Sequence, residues 1–216
     1  MVASLPRAFS LALALLVATA GGAHAQGADV AISGAGLLSF QPIDDGYVGS
    51  PYLSEGIGGI APGFGAGFNV IMPGGFVIGT EYTTAFYEQE QSGRLVRGGF
   101  PLEAVPATTR LRDSLLHIMA GYAPTDGATR TVFLGGISLK LDRATIDDVE
   151  AEEYETDPAS PLAFTGGIDV LRRLTTRTEL LITGRYTFNP RDTRLQYLGV
   201  GAHIIRAGVG VRIRIN

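Results

Sequence analysis

The 216-residue sequence contains no cysteine, which excludes a disulfide framework and a cysteine-built metal site alike. It also lacks an excess of positive charge: 17 Lys and Arg stand against 21 Asp and Glu, a formal charge of −4. A nucleic-acid-binding surface needs a basic stripe, so that function class is set aside. Beyond residue 25 no apolar run approaches the roughly 20 residues of a spanning helix. Any membrane reading must therefore go through strands, because only helices and closed barrels satisfy every backbone group in lipid. Catalytic signatures are equally scarce. The sequence has no G-x-S-x-G elbow and no H-E-x-x-H pair. Past residue 25 the histidines are His117 and His203. Ser114, three positions before His117, has the opposite parity on a strand, and His203 has no serine at an outward position beside it. We expect no enzymatic dyad here, and no cofactor.

What is present begins with Met1–Ala25. Arg7 precedes the apolar run Leu11–Ala18, and Ala23-His24-Ala25 comes just before Gln26. A charged start, a short apolar stretch and a small-x-small site read as a secretory signal peptide over 1–25. The fold is then expected to occupy 26–216, and without Arg7 the formal charge moves from −4 to −5. At the other end, Ile205, Ala207, Val209, Val211, Ile213 and Ile215 alternate with Arg206, Gly208, Gly210, Arg212 and Arg214. Period two is the pleat of a strand. An aliphatic face opposed to a glycine and arginine face suits lipid on one side and a narrow polar lumen on the other.

Between these ends, eight alternating stretches are separated by connections that run long, short, long, short. The stretches begin near Ala28, after Gly56, and near Phe76, Leu111, Phe133, Leu162, Glu179 and His203. Short connections fall at Pro73–Gly75, Pro124–Gly127 and Arg172–Arg177; long ones fall at 41–56, 88–109, 143–161 and 189–201. The pattern predicts an all-β, eight-stranded antiparallel up-and-down barrel with four long outer loops. Outward aromatics sort by height. Phe76, Tyr122 and Phe133 fall near the short turns, whereas Phe86, Phe164, Tyr186 and Phe188 fall near the long connections. Phe76 and Phe86 are separated by about the 9–11 residues of a tilted spanning strand, as two interfacial girdles require.

The inward ionisable groups are Glu81, His117, Arg185 and Arg206 around mid-height, Lys140 higher, and Asp169, Glu179, Arg212 and Arg214 nearer the turn end. Mixed signs in a narrow lumen must pair, since an unpartnered buried charge is very costly. The expectation is a salt-bridged plug, with Glu81 facing Arg185 or Arg206. The third long connection carries Asp147, Asp148, Glu150, Glu152, Glu153, Glu155 and Asp157. Such mutual repulsion favours a solvated loop. It also offers contact with divalent cations bridging to lipopolysaccharide phosphates, although the ligand order of an EF-hand is absent.

Signal, alternation, belts and the final strand together resemble the small outer-membrane β-barrel families of Gram-negative bacteria, the OmpA/OmpX-type eight-stranded barrels above all. The resemblance implies a transmembrane barrel in the bacterial outer membrane, in contact with lipid and lipopolysaccharide and inserted by the barrel-assembly machinery. The family's usual terminal aromatic is replaced by Arg212-Ile213-Arg214-Ile215-Asn216. A non-enzymatic role in envelope integrity or surface interaction is the first expectation. A narrow porin-like pore or carrier is the second, and a soluble periplasmic barrel binding a hydrophobic ligand the third.

Overall fold

A strand with one apolar face is stable only when that face is covered, and a sheet closed on itself leaves no edge exposed. This chain takes that solution. The computed structural model describes residues 27–43, 56–97, 100–124, 127–141, 143–147, 152–154, 162–189 and 200–215. The expected signal, 1–25, lies outside them. In chain order the strands are β1 Asp29–Gln41, β2 Gly59–Ile71, β3 Phe76–Arg97, β4 Phe100–Tyr122, β5 Thr129–Lys140, β6 Arg143–Asp147, β7 Glu152–Tyr154, β8 Leu162–Arg173, β9 Thr178–Phe188 and β10 His203–Arg214. Eight of them close a barrel in the order β1, β2, β3, β4, β5, β8, β9, β10, and β10 returns to β1 (Ala31 opposite Arg214, Phe40 opposite Ile205). Every pairing is antiparallel, and no helix occurs among the described residues.

The short turns follow from local chemistry. Gly74 and Gly75 hold φ of 91° and 87°, a region closed to most side chains, and Met72 N donates to Phe76 O at 2.8 Å. Between β8 and β9, Thr175 Oγ1 accepts from the backbone N–H of Arg177 and Thr178 at 3.2 and 3.0 Å.

Two of the four long connections depart from expectation, while 41–56 and 189–201 lie largely outside the described residues. Residues 88–97 and 100–109 are not loop: β3 and β4 continue as a paired ladder, with Glu88 opposite Arg110 and Ser92 opposite Pro106. The sequence of this extension shows no regular apolar-polar alternation, and Pro101 and Pro106 argue against a strand. Pairing holds regardless, and β6 adjoins β4 only over Thr108–Arg112. Glu88 and Arg110 form an exposed ion pair at 3.3 Å across the ladder. Within 143–161, β6 and β7 form a small hairpin on the outer part of β4.

The barrel is inside out relative to a soluble one. Ile32, Ile118, Ile137, Ile168, Ile182 and Val209 point outward and are 43–58% exposed, while Arg206, Arg212 and His117 are at most 2% exposed. Inside, Ile71, Val77, Ala123, Val132, Leu171 and Leu181 form the main apolar cluster.

Candidate functional site: the ionic lumen

Parity decides what enters the lumen, and the stagger of a closed barrel decides which of those groups meet. Glu81 on β3 lies opposite Gly67 and His117, and Arg185 on β9 lies opposite Gly167 and Arg206. Glycines beside the long side chains leave the room that lets them lie across the bore. Arg185 Nη2 reaches Glu81 at 2.8 Å, and its Nη1 reaches Asp169 at 2.6 Å. One guanidinium thus holds two carboxylates in the fork geometry that makes such contacts strong. Arg206 Nη2 pairs with Asp113 at 2.8 Å, and Arg206 also donates to Ser39 and Thr83.

A hydroxyl chain continues from that group. His117 Nε2 lies 3.0 Å from Thr83 Oγ1 and its Nδ1 lies 2.6 Å from Ser138 Oγ; Ser138 contacts Thr165, which reaches Thr187 at 2.9 Å. His117 and Ser138 face each other across β4 and β5. They therefore form a serine–histidine contact between neighbouring strands, which residue spacing along β4 alone does not show. Both are fully buried, and the second imidazole nitrogen faces a threonine where a triad would place an orienting carboxylate. Ser114 lies on the outer face with Tyr82 and Thr84, at 3.1 and 2.9 Å.

Nearer the short turns a second ionic group gathers. Glu179 receives Arg212 at 2.6 Å, Arg214 at 2.6 Å and Arg130 at 3.2 Å. Asp29 receives Arg130 at 2.5 Å and Arg212 at 3.1 Å, and Asn69 Oδ1 accepts from Arg212 at 2.8 Å. Along β9 the inward series Glu179, Leu181, Thr183, Arg185 passes from this group through the apolar cluster to the first group. A cavity of about 30 Å³ beside Glu81, Asp169 and Arg185 has room for about one water.

Four inward carboxylates and guanidiniums, Asp169, Asp113, Asp29 and Arg130, take places in the ion pairs that the alternation does not give. Asp169 belongs with Arg185, not with the turn-end group, because Arg185 folds back along its own strand pair. Asp113, Asp29 and Arg130 were missed although their parity with His117, Ala31 and Val132 marks them as inward. Lys140 is buried on the inner face. Of the acidic run, the backbone of Asp147 lies in β6 and that of Glu152 and Glu153 in β7, while Asp148, Glu150, Glu155 and Asp157 lie outside the described residues.

On the outer face, Phe76, Tyr122 and Phe133 are lateral neighbours across β3, β4 and β5. At the opposite end Phe164, Phe188 and His203 form a second row across β8, β9 and β10. His203 stacks on Phe188 at 5.0 Å, and its Nδ1 lies 2.7 Å from Tyr186 Oη. Phe64 and Phe86 approach to 6.2 Å on the β2–β3 side.

No family model matches the sequence, and no curated protein matches it either. Solved structures do. Neisserial surface protein A aligns over 86% of this chain and 97% of its own, at 13% identity and a TM-score of 0.53. The Yersinia pestis attachment invasion locus protein Ail, in complex with the heparin analogue sucrose octasulfate, aligns over 87% and 99% at 14% identity and 0.49. OprG from Pseudomonas aeruginosa aligns over 87% and 96% at 13% identity and 0.47. Similarity at this level is similarity of fold: the chain is an eight-stranded antiparallel closed barrel, like Neisserial surface protein A in architecture.

Proposed function

We propose that this chain is a non-enzymatic integral outer-membrane protein, exported by residues 1–25, with a sealed barrel that presents its long connections at the cell surface for envelope integrity or surface interaction. The observation that carries the reading is the inverted burial: arginines and carboxylates inside, isoleucine and valine outside. Water would not tolerate that outer face over a whole barrel, whereas a bilayer selects it. The distance between the aromatic rows agrees. Phe76 and Phe86 share β3, and ten strand residues at the usual tilt rise roughly 25 Å, the height of an outer-membrane apolar band.

Sealing follows from the pairs. A solute would have to displace Arg185 from two carboxylates and Arg206 from Asp113, which speaks against a porin-like pore or carrier. A soluble barrel for apolar ligands would need an apolar lumen, and the side chains crossing this one are charged. The parts left to act are the long-connection end, where β3 and β4 extend past the upper aromatic row, and the lipid-facing wall. Lipopolysaccharide at that wall and the barrel-assembly machinery during insertion are the partners this reading implies. The acidic run at 147–157 is a candidate for divalent cations that bridge to lipopolysaccharide phosphates.

The test is fractionation of the expressed full chain, with boiled and unboiled samples compared on an SDS gel. A sarkosyl-insoluble band that migrates faster unboiled is the expected result. Release with the periplasm and no mobility shift would replace this reading with the soluble barrel.

A further inference from the structure

At the turn end the lumen widens into a cavity of about 610 Å³ bounded by Asp29, the Pro73–Gly75 turn, Tyr122, Arg130, Arg173 and Arg214. Its charges do not cancel. Among the described residues, Arg130, Arg212 and Arg214 converge on two carboxylates, Asp29 and Glu179. Arg173, two residues beyond Leu171 on the inner face of β8, adds a fourth guanidinium at the cavity wall. Among the described residues the balance is two positive charges in a mouth partly screened from water.

One donor is also left over. Arg130 is 7% exposed. Its Nη2 serves both Asp29 and Glu179, yet its Nε, buried in the same wall, has no hydrogen-bond partner among the described residues. A buried guanidinium donor without an acceptor is a rarity that calls for a partner. Several guanidiniums around a polar cavity are the arrangement that binds tetrahedral oxyanions through multiple charge-assisted hydrogen bonds.

We propose that this vestibule binds a phosphate group, with Arg130, Arg173 and Arg214 as its donors. A phosphate dianion cancels the two surplus charges, which a chloride or a single carboxylate would not. Free phosphate and a phosphomonoester lipid headgroup share this chemistry, and the experiment separates them.

The full chain is folded into an uncharged, phosphate-free detergent. Inorganic phosphate is titrated by calorimetry at constant ionic strength, and a parallel titration uses micelles carrying phosphatidic acid, whose phosphomonoester headgroup can also carry two negative charges. Saturable binding is expected, and the arm in which it occurs identifies the source. Arg173→Gln and Arg130→Gln should each weaken it roughly tenfold, the loss of one charge-assisted contact. Arg110→Gln, at the opposite end, should leave it unchanged. The heat-dependent gel shift reports whether each variant still folds. Arg173 is exposed, so its variant serves even if Arg130→Gln does not assemble. No saturation in either arm, or equal affinity in a folded Arg173→Gln variant, would overturn the proposal.

Discussion

Gly167 lies opposite Arg185 in the β8–β9 register, and a Cβ built there would stand 2.8 Å from Arg185 Cδ and 2.8 Å from its Nη1. The missing side chain is the space in which the guanidinium reaches Glu81 and Asp169. Gly167→Ala should therefore disturb both ion pairs through crowding alone, at about 1–3 kcal/mol, read as a lower unfolding midpoint in urea. Glu81 and Arg185 should also be coupled. In a double-mutant cycle with Glu81→Gln and Arg185→Gln, a coupling of about 0.5–3 kcal/mol is expected for groups in direct contact. Additive single effects would mean that the 2.8 Å pair contributes nothing. Removing one member of such a buried set is costlier than forming it is favourable, because the partner charge is stranded.

At the scale of the element, β10 shows how one strand serves two environments. Its inward Gly208 and Gly210 sit so close to the facing β1 backbone that a Cβ would clash with the carbonyls of Gly36 and Gly34. Its outward Val209 is 58% exposed. Val209→Arg should destabilise the barrel in a bilayer by about 2–4 kcal/mol, the depth-dependent price of a cation near the midplane. On a soluble barrel the same exposed substitution should change stability by no more than about 0.5 kcal/mol. Reversible unfolding in lipid vesicles distinguishes these outcomes. β3 and β4 make the opposite point. Below Phe86 they obey the alternation that the apolar belt imposes, and above it they pair through polar residues such as Glu88 and Arg110.

For the whole molecule, closure makes the lumen a shared interior in which groups far apart in sequence must neutralise one another. Asp29 and Arg130 stand 101 positions apart, and Asp29 and Arg212 stand 183 apart. With two ionic groups and an apolar cluster filling the bore, the folded chain should show no discrete conductance steps in planar bilayers under moderate salt and voltage. Regular, reproducible steps from purified barrel would refute the sealed lumen and restore the porin-like alternative.

Period-two patterning by itself determined which side chains face in and which face out, since the pleat admits no other spacing and a one-residue slip would exchange the two faces of any strand. That parity yielded eight strands, the separation of Phe76 from Phe86, and Arg206, Arg212 and Glu81 on one inner surface. Three matters waited for the tertiary structure. The stagger of the closed barrel joined Asp169 to Arg185 and drew Asp29 and Arg130 into the turn-end group, because it depends on every pairing around the ring at once. The β3–β4 extension stayed hidden because its residues lack a regular period-two alternation and include Pro101 and Pro106. The contact between His117 and Ser138 required the β4–β5 register, which the hairpin turn sets and the alternation does not.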